Sequence, residues 1–126
     1  TIDERVERSK KIFKEIGYEG IDLNTDEFYE SIKISAERGG TEDTGFGRQI
    51  TSILGSENRL NKVRSISAST LIIHGAEDPL IKVKNAYKLN NLIKDSKLKI
   101  IPDMRHLIEP PVFIQFKKDL LIHLNQ

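Results

Sequence analysis

The run Thr70-Leu71-Ile72-Ile73-His74-Gly75-Ala76-Glu77-Asp78-Pro79 constrains the fold more than any other stretch of these 126 residues. An apolar, β-branched segment that stops at a glycine and then offers a carboxylate reads as a buried strand ending at a site. Ligands of open α/β sheets bind in the crevice outside the carboxyl ends of the strands, and Asp78 falls on that edge. A second short apolar run, Leu98-Lys99-Ile100-Ile101, is ended by Pro102, and the loop Asp103-Met104-Arg105-His106 follows. If the two strands are parallel, His106 reaches the same edge as Asp78. The segment between them is long enough for a crossover helix, so strand, helix and strand form one βαβ unit.

The first half of the chain reads differently. Ile2, Val6, Phe13 and Ile16 recur at helical spacing among charged residues and predict an amphipathic helix ending at Gly17. Asn24 can cap a second helix, with Glu27 three residues on, whose inner face is Phe28, Ile32 and Ser35 or Ala36. Gly39-Gly40 breaks it. Asp43 or Thr44 can cap a third helix, with Phe46, Ile50, Ile53 and Leu54 on one side up to Gly55, and a short amphipathic turn follows around Leu60, Val63 and Ile66. No strand is indicated before Thr70. In the second half, Val83, Ala86, Leu89 and Ile93 line the crossover helix. Pro110-Pro111 opens a last helix with a stripe at Phe113, Phe116, Leu120 and Leu124.

Composition excludes several classes of function. The chain is 37% hydrophobic and 31% charged, with twenty basic and nineteen acidic residues and no block of either sign. A nucleic-acid or anionic-membrane surface would show a basic stripe, and none is present. Without cysteine there is no disulfide framework, thiolate nucleophile or cysteine metal site. No apolar run approaches the roughly 20 residues of a membrane span, and Thr-Ile-Asp-Glu-Arg does not open a signal peptide, so a cytoplasmic location is the default expectation. Three singly scattered histidines give no metal-ligand spacing, and nothing calls for a cofactor.

Asp78-Pro79 alone is an ordinary turn after a strand. His74-Gly75 before it and His106 after the next strand make Asp78 and His106 candidates for an acid and base pair. A carboxylate bonded to one imidazole nitrogen fixes the tautomer that leaves the other nitrogen free to take a proton, and it stabilises the imidazolium that results. His74 reads as a structural strand-end residue, His123 as a surface or packing residue near a helix end, and Met104 as packing. Glu77 and Asp103 read as solvated loop residues, because a paired-carboxylate mechanism needs two acids placed across a substrate.

The strings LIIHGAEDPLIKV and KLKIIPDMRHLIEPP resemble the last third of α/β-hydrolases, in which a strand ending in H-G-x-x-D-P carries the triad acid and a strand ending in P-x-M-x-H carries the histidine. The resemblance implies an α/β fold: a helical cap segment and return linker over 1–66, then a β-α-β-α part of the hydrolase sheet over 67–126 with two parallel strands. TGFGRQITSILGSENRLNKVRSI is similar to the cap-exit region of small-ester hydrolases of the aclacinomycin methylesterase type. Asp78 and His106 match the acid and base roles. The nucleophile of such enzymes lies earlier, in G-x-S-x-G, and no such elbow occurs here. Gly55-Ser56 and Gly47-Arg48 lack the second glycine and the preceding strand. The resemblance therefore implies the C-terminal part of a serine-type hydrolase of carboxylic esters or related acyl compounds, with nucleophile and oxyanion hole outside these residues and no activity in them alone. Phe28, Tyr29 and Phe46 are aromatics that could meet the substrate. The same acid and base would serve an aspartate nucleophile, as in related epoxide hydrolases, and the alternative to an enzyme is a hydrolase tail kept as a protein-interaction module.

One departure stands out. The family usually has P-G-x-G-H before the histidine, where this chain has Pro102-Asp103-Met104-Arg105-His106; the loss of glycine implies a strained or a differently shaped loop. A second expectation concerns assembly. In the family's strand order the 70–74 strand has another neighbour on its free side, so an isolated chain would expose that edge and self-associate, most simply as a homodimer.

Overall fold

The structure, a computed structural model, describes residues 1–39 and 44–125; the side chains of Thr44 and Phe46 also lie outside the description. Its order is α1 (Ile2–Ile16), α2 (Asp26–Gly39), α3 (Thr44–Leu54), α4 (Leu60–Arg64), β1 (Thr70–Gly75), α5 (Lys84–Leu92), β2 (Ser96–Ile101) and α6 (Pro110–Leu124). The division expected from the sequence, helices first and β-α-β-α after, is the one observed. Strands β1 and β2 pair in parallel in unbroken register, from Thr70 opposite Ser96 to Gly75 opposite Ile101. Both strands therefore end at the same level, and the loops that follow them leave the sheet side by side.

The sheet is a middle layer. Ile73 and Ile101 pack with Val112 and Phe116 of α6, joined by Met104, Tyr18 and Leu120. Alternation along the strands puts Ile72, Leu98 and Ile100 on the opposite face, and α5 packs against both strands through the buried Ala86, with Ile93 buried just beyond its end. Lys99 alternates onto the α6 side and meets Asp119 at 3.0 Å.

The face that the last helix turns inward shares Phe116 and Leu120 with the predicted stripe and adds Val112. Val112 and Phe116 are buried, whereas Phe113 and Leu124 are exposed. Its sequence PPVFIQFKKDLLIHL offers apolar residues on more than one side, so spacing alone does not select the face; the sheet does.

In the first half, a capping box of Thr1 and Glu4 opens α1. Helix α1 packs on α2 through Val6 and through an edge-to-face contact of Phe13 with Phe28, whose ring centroids are 5.2 Å apart. The cap of α2 is Thr25, whose Oγ1 accepts from the Phe28 amide at 3.1 Å, and not Asn24, whose own amide donates to Asp22. Of the caps expected for α3, Asp43 lies outside the described residues, and Thr44 falls inside the helix. Helix α3 packs on no other element among the described residues, and Ile50, Ile53 and Leu54 are exposed.

Candidate active site

The loops after β1 and β2 bring Asp78 and His106 together. Strand β1 ends at Gly75, the chain turns through Ala76 and Glu77, and the Asp78 side chain, 6% exposed, folds back on the residues that follow it. Its Oδ1 accepts from the amides of Leu80 and Ile81, each at 2.8 Å, a local Asx-type arrangement that pins the carboxylate to its own loop. Its Oδ2 lies 2.9 Å from His106 Nδ1. Burial pushes the Asp78 carboxyl up, but the Ile81 amide, the His106 imidazole and the Leu80 amide outweigh it and hold the group below its ordinary range. An ionised carboxylate can only accept, so His106 Nδ1 carries the proton and donates it. That leaves Nε2 as the basic nitrogen on a ring that is 37% exposed.

The close approach of the two loops depends on Gly75. A Cβ there would run into the carbonyl oxygens of Met104 and Arg105. Backbone bonds seal the contact: the Ala76 amide donates to Ile101 O at 2.9 Å and the Glu77 amide to Met104 O at 3.2 Å. The glycine that the histidine loop lacks is thus matched by one on the facing strand. Buried Met104 anchors the loop in the core.

His74 also lies near the carboxylate, against the same oxygen that His106 meets. Its Nδ1 lies 2.8 Å from Gly75 O and its Nε2 3.9 Å from Asp78 Oδ2, beyond hydrogen-bond range, so the short contact belongs to His106. Glu77 and Asp103 are exposed, and His123 lies on α6, remote in the fold from both loops. Phe28 is buried against Phe13, and the Tyr29 hydroxyl donates to Asp3 at 3.1 Å, so both act in the joint between α1 and α2. A depression of about 660 Å³ lies over Ile114, Lys118 and Leu121 on the outer side of α6, away from the pair. No group of three or more potential metal ligands occurs among the described residues, and none of their helices is long and apolar enough to cross a membrane. Sequence reasoning gave no role to Arg105 and Glu109, whose side chains reach the last turn of α1 and Tyr18, two residues past its end.

No protein-family model matches the chain. Its backbone does match a solved structure, that of a His-tagged serine hydrolase involved in carbazole degradation, the CarC enzyme. The TM-score is 0.65 with 26% identity, over 95% of this chain and 47% of the other. This is part of an α/β-hydrolase fold. The α/β-hydrolase likeness recurs in sequence: over 51 residues, 39% of this chain, it is 41% identical to the 2-hydroxy-6-oxo-6-(2'-aminophenyl)hexa-2,4-dienoic acid hydrolase of Metapseudomonas resinovorans. The chain spans about half the length of that solved structure and 18% of that curated relative.

Proposed function

We propose that Asp78 and His106 are the acid and base of a serine-type α/β-hydrolase triad, and that residues 1–66 form its cap and return segment. The observation that carries this is the two-sided use of the Asp78 carboxylate: one oxygen fixed by two amides and the other 2.9 Å from His106 Nδ1. Such an imidazole is oriented to take a proton at Nε2 from a nucleophilic hydroxyl and to return it to a leaving group. The bond formed is between the hydroxyl oxygen and the substrate's acyl carbon; the bond broken joins that carbon to the leaving group, and water then releases the acyl enzyme.

The substrate class is a carboxylic ester or related acyl compound. The name of the Metapseudomonas relative carries a 6-oxo group, again a carbonyl carbon, and so widens the candidates to oxo-dienoic acids. The nucleophile and oxyanion hole lie outside residues 1–126, so these residues alone turn over no ester. Two measurements test the reading. Coding sequence upstream of Thr1 should hold G-x-S-x-G after a strand; G-x-D-x-G there would move the chemistry to an aspartate nucleophile. The full protein should hydrolyse a short p-nitrophenyl ester or a 2-hydroxy-6-oxo-dienoic acid, and His106→Ala should abolish it. Undiminished turnover in that variant would defeat the assignment.

A further inference from the structure

His106 is held from two sides. Asp78 bonds its ring, while its backbone is fastened to the far end of a helix about ninety residues earlier. The last carbonyls of a helix have no partner within it. Here those of Lys14 and Glu15 accept from Arg105 Nη1 at 2.8 and 3.3 Å. The carbonyl of Ile16 accepts from the amides of His106 and Leu107 at 2.8 and 3.2 Å. The end of α1 is thus capped by the three consecutive residues centred on the imidazole.

Glu109 completes the joint. It stands at the N-cap of α6 yet makes no side-chain capping bond there. Its Oε1 instead accepts from the Tyr18 amide at 3.0 Å, just after α1 ends. The carboxylate is buried, and Oε2 has no hydrogen-bond partner among the described residues. A buried carboxylate with half its acceptors idle is unfavourable unless its position achieves something else. Gly17 is the residue that admits it: a Cβ there would lie 2.7 Å from Glu109 Oε1 and 2.6 Å from Phe13 O.

We infer that Arg105 and Glu109 are positioning residues for His106, clamping the loop that bears the imidazole onto the last turn of α1. Seating of the helical segment and the contact between His106 and Asp78 are then one equilibrium: when α1 lifts, the base leaves the carboxylate. The catalytic meaning of this rests on the proposed function, whereas the coupling itself does not.

The test uses the full protein labelled with ¹⁵N-histidine. In the parent, His106 should show the Nδ1–H tautomer, with its ring proton slowed in exchange by the bond to Asp78. Arg105→Ala and Glu109→Gln should each shift the imidazole nitrogens of His106 toward a mixture of tautomers and speed exchange of that proton by about tenfold or more. The signals of His123, away from the joint, should stay in place. Arg105→Lys, which keeps a donor for the Lys14 carbonyl, should restore most of the parent signal. In turnover the two disabling variants should lower kcat while leaving KM nearly unchanged. If either fails to fold, Glu109→Asp, which shortens the side chain and withdraws its oxygen from the Tyr18 amide without adding bulk to the joint, gives the same readout. Unchanged tautomer and exchange in the folded variants overturn the clamp. Failure of the functional reading looks different: His106→Ala would leave turnover intact whatever the imidazole signals do.

Discussion

Asp78 has two oxygens with separate tasks, and a substitution can remove one task at a time. Asn at position 78 keeps an acceptor for the Leu80 and Ile81 amides but turns an NH2 group toward His106 Nδ1, so that the ring presents its lone pair inward and carries its proton on Nε2 instead. Asp78→Asn should therefore lower turnover of the full protein by about 10⁴-fold on the proposed function while lowering the urea midpoint only modestly, through loss of the ionised carboxylate, measured by ester hydrolysis and equilibrium unfolding. The depressed Asp78 pKa also has a consequence for stability. A group whose folded pKa lies below its unfolded one stabilises the fold above the unfolded value, about 3.9, and that contribution is lost as pH falls through the folded value. The loss of stability on acidification should thus be smaller in Asp78→Ser, which has no carboxyl to titrate at this position, than in the parent, when urea unfolding at each pH is referred to each protein's own neutral-pH stability. Gly75→Ala tests the loop contact, because its methyl group meets two carbonyl oxygens that cannot rotate away. We expect a loss of roughly 1–3 kcal/mol in urea unfolding. Asp78 and His106 were legible in the sequence because each follows a short apolar run punctuated by glycine or proline. Arg105 and Glu109 were not, since their partners lie about ninety residues away and no local pattern records such a contact.

Among the elements, α6 shows where periodicity stops being informative. Its length and its opening at Pro110-Pro111 follow from the sequence, but a helix apolar on several sides is oriented by what it packs on. The core face is Val112 and Phe116, with Leu120 packed against it. Phe116→Ala should cost about 3–5 kcal/mol, enough to unfold a marginal domain, whereas Phe113→Ala at the exposed neighbour should cost much less. Thermal denaturation of the two variants checks the difference, and equal shifts would show the helix rotated. The parallel pairing of β1 with β2 was legible for the opposite reason: strands joined by a crossover helix have few alternatives. Helix α3 was legible as a helix only; nothing in its spacing told what its apolar side would meet.

At the scale of the whole molecule, a two-stranded sheet leaves β1 paired on one side, and parallel sheets are ordinarily covered on both faces and flanked by further strands. Large apolar residues are correspondingly exposed, with Leu54 at 81% and Ile114 at 72%. We expect the 126-residue chain, prepared by itself, to self-associate at micromolar concentration, with a dimer joined through β1 edges as the simplest form; a monomeric mass in sedimentation equilibrium would contradict this. The joint between α1 and the His106 loop bears on the order in which the chain acquires its shape. Pairing β1 with β2 closes a short loop already shortened by α5, whereas the bonds from Ile16 to His106 and Leu107 close one several times longer. Loop-closure entropy makes the short closure the earlier event, so the sheet forms first and the His106 imidazole is fixed beside Asp78 only once α1 has docked.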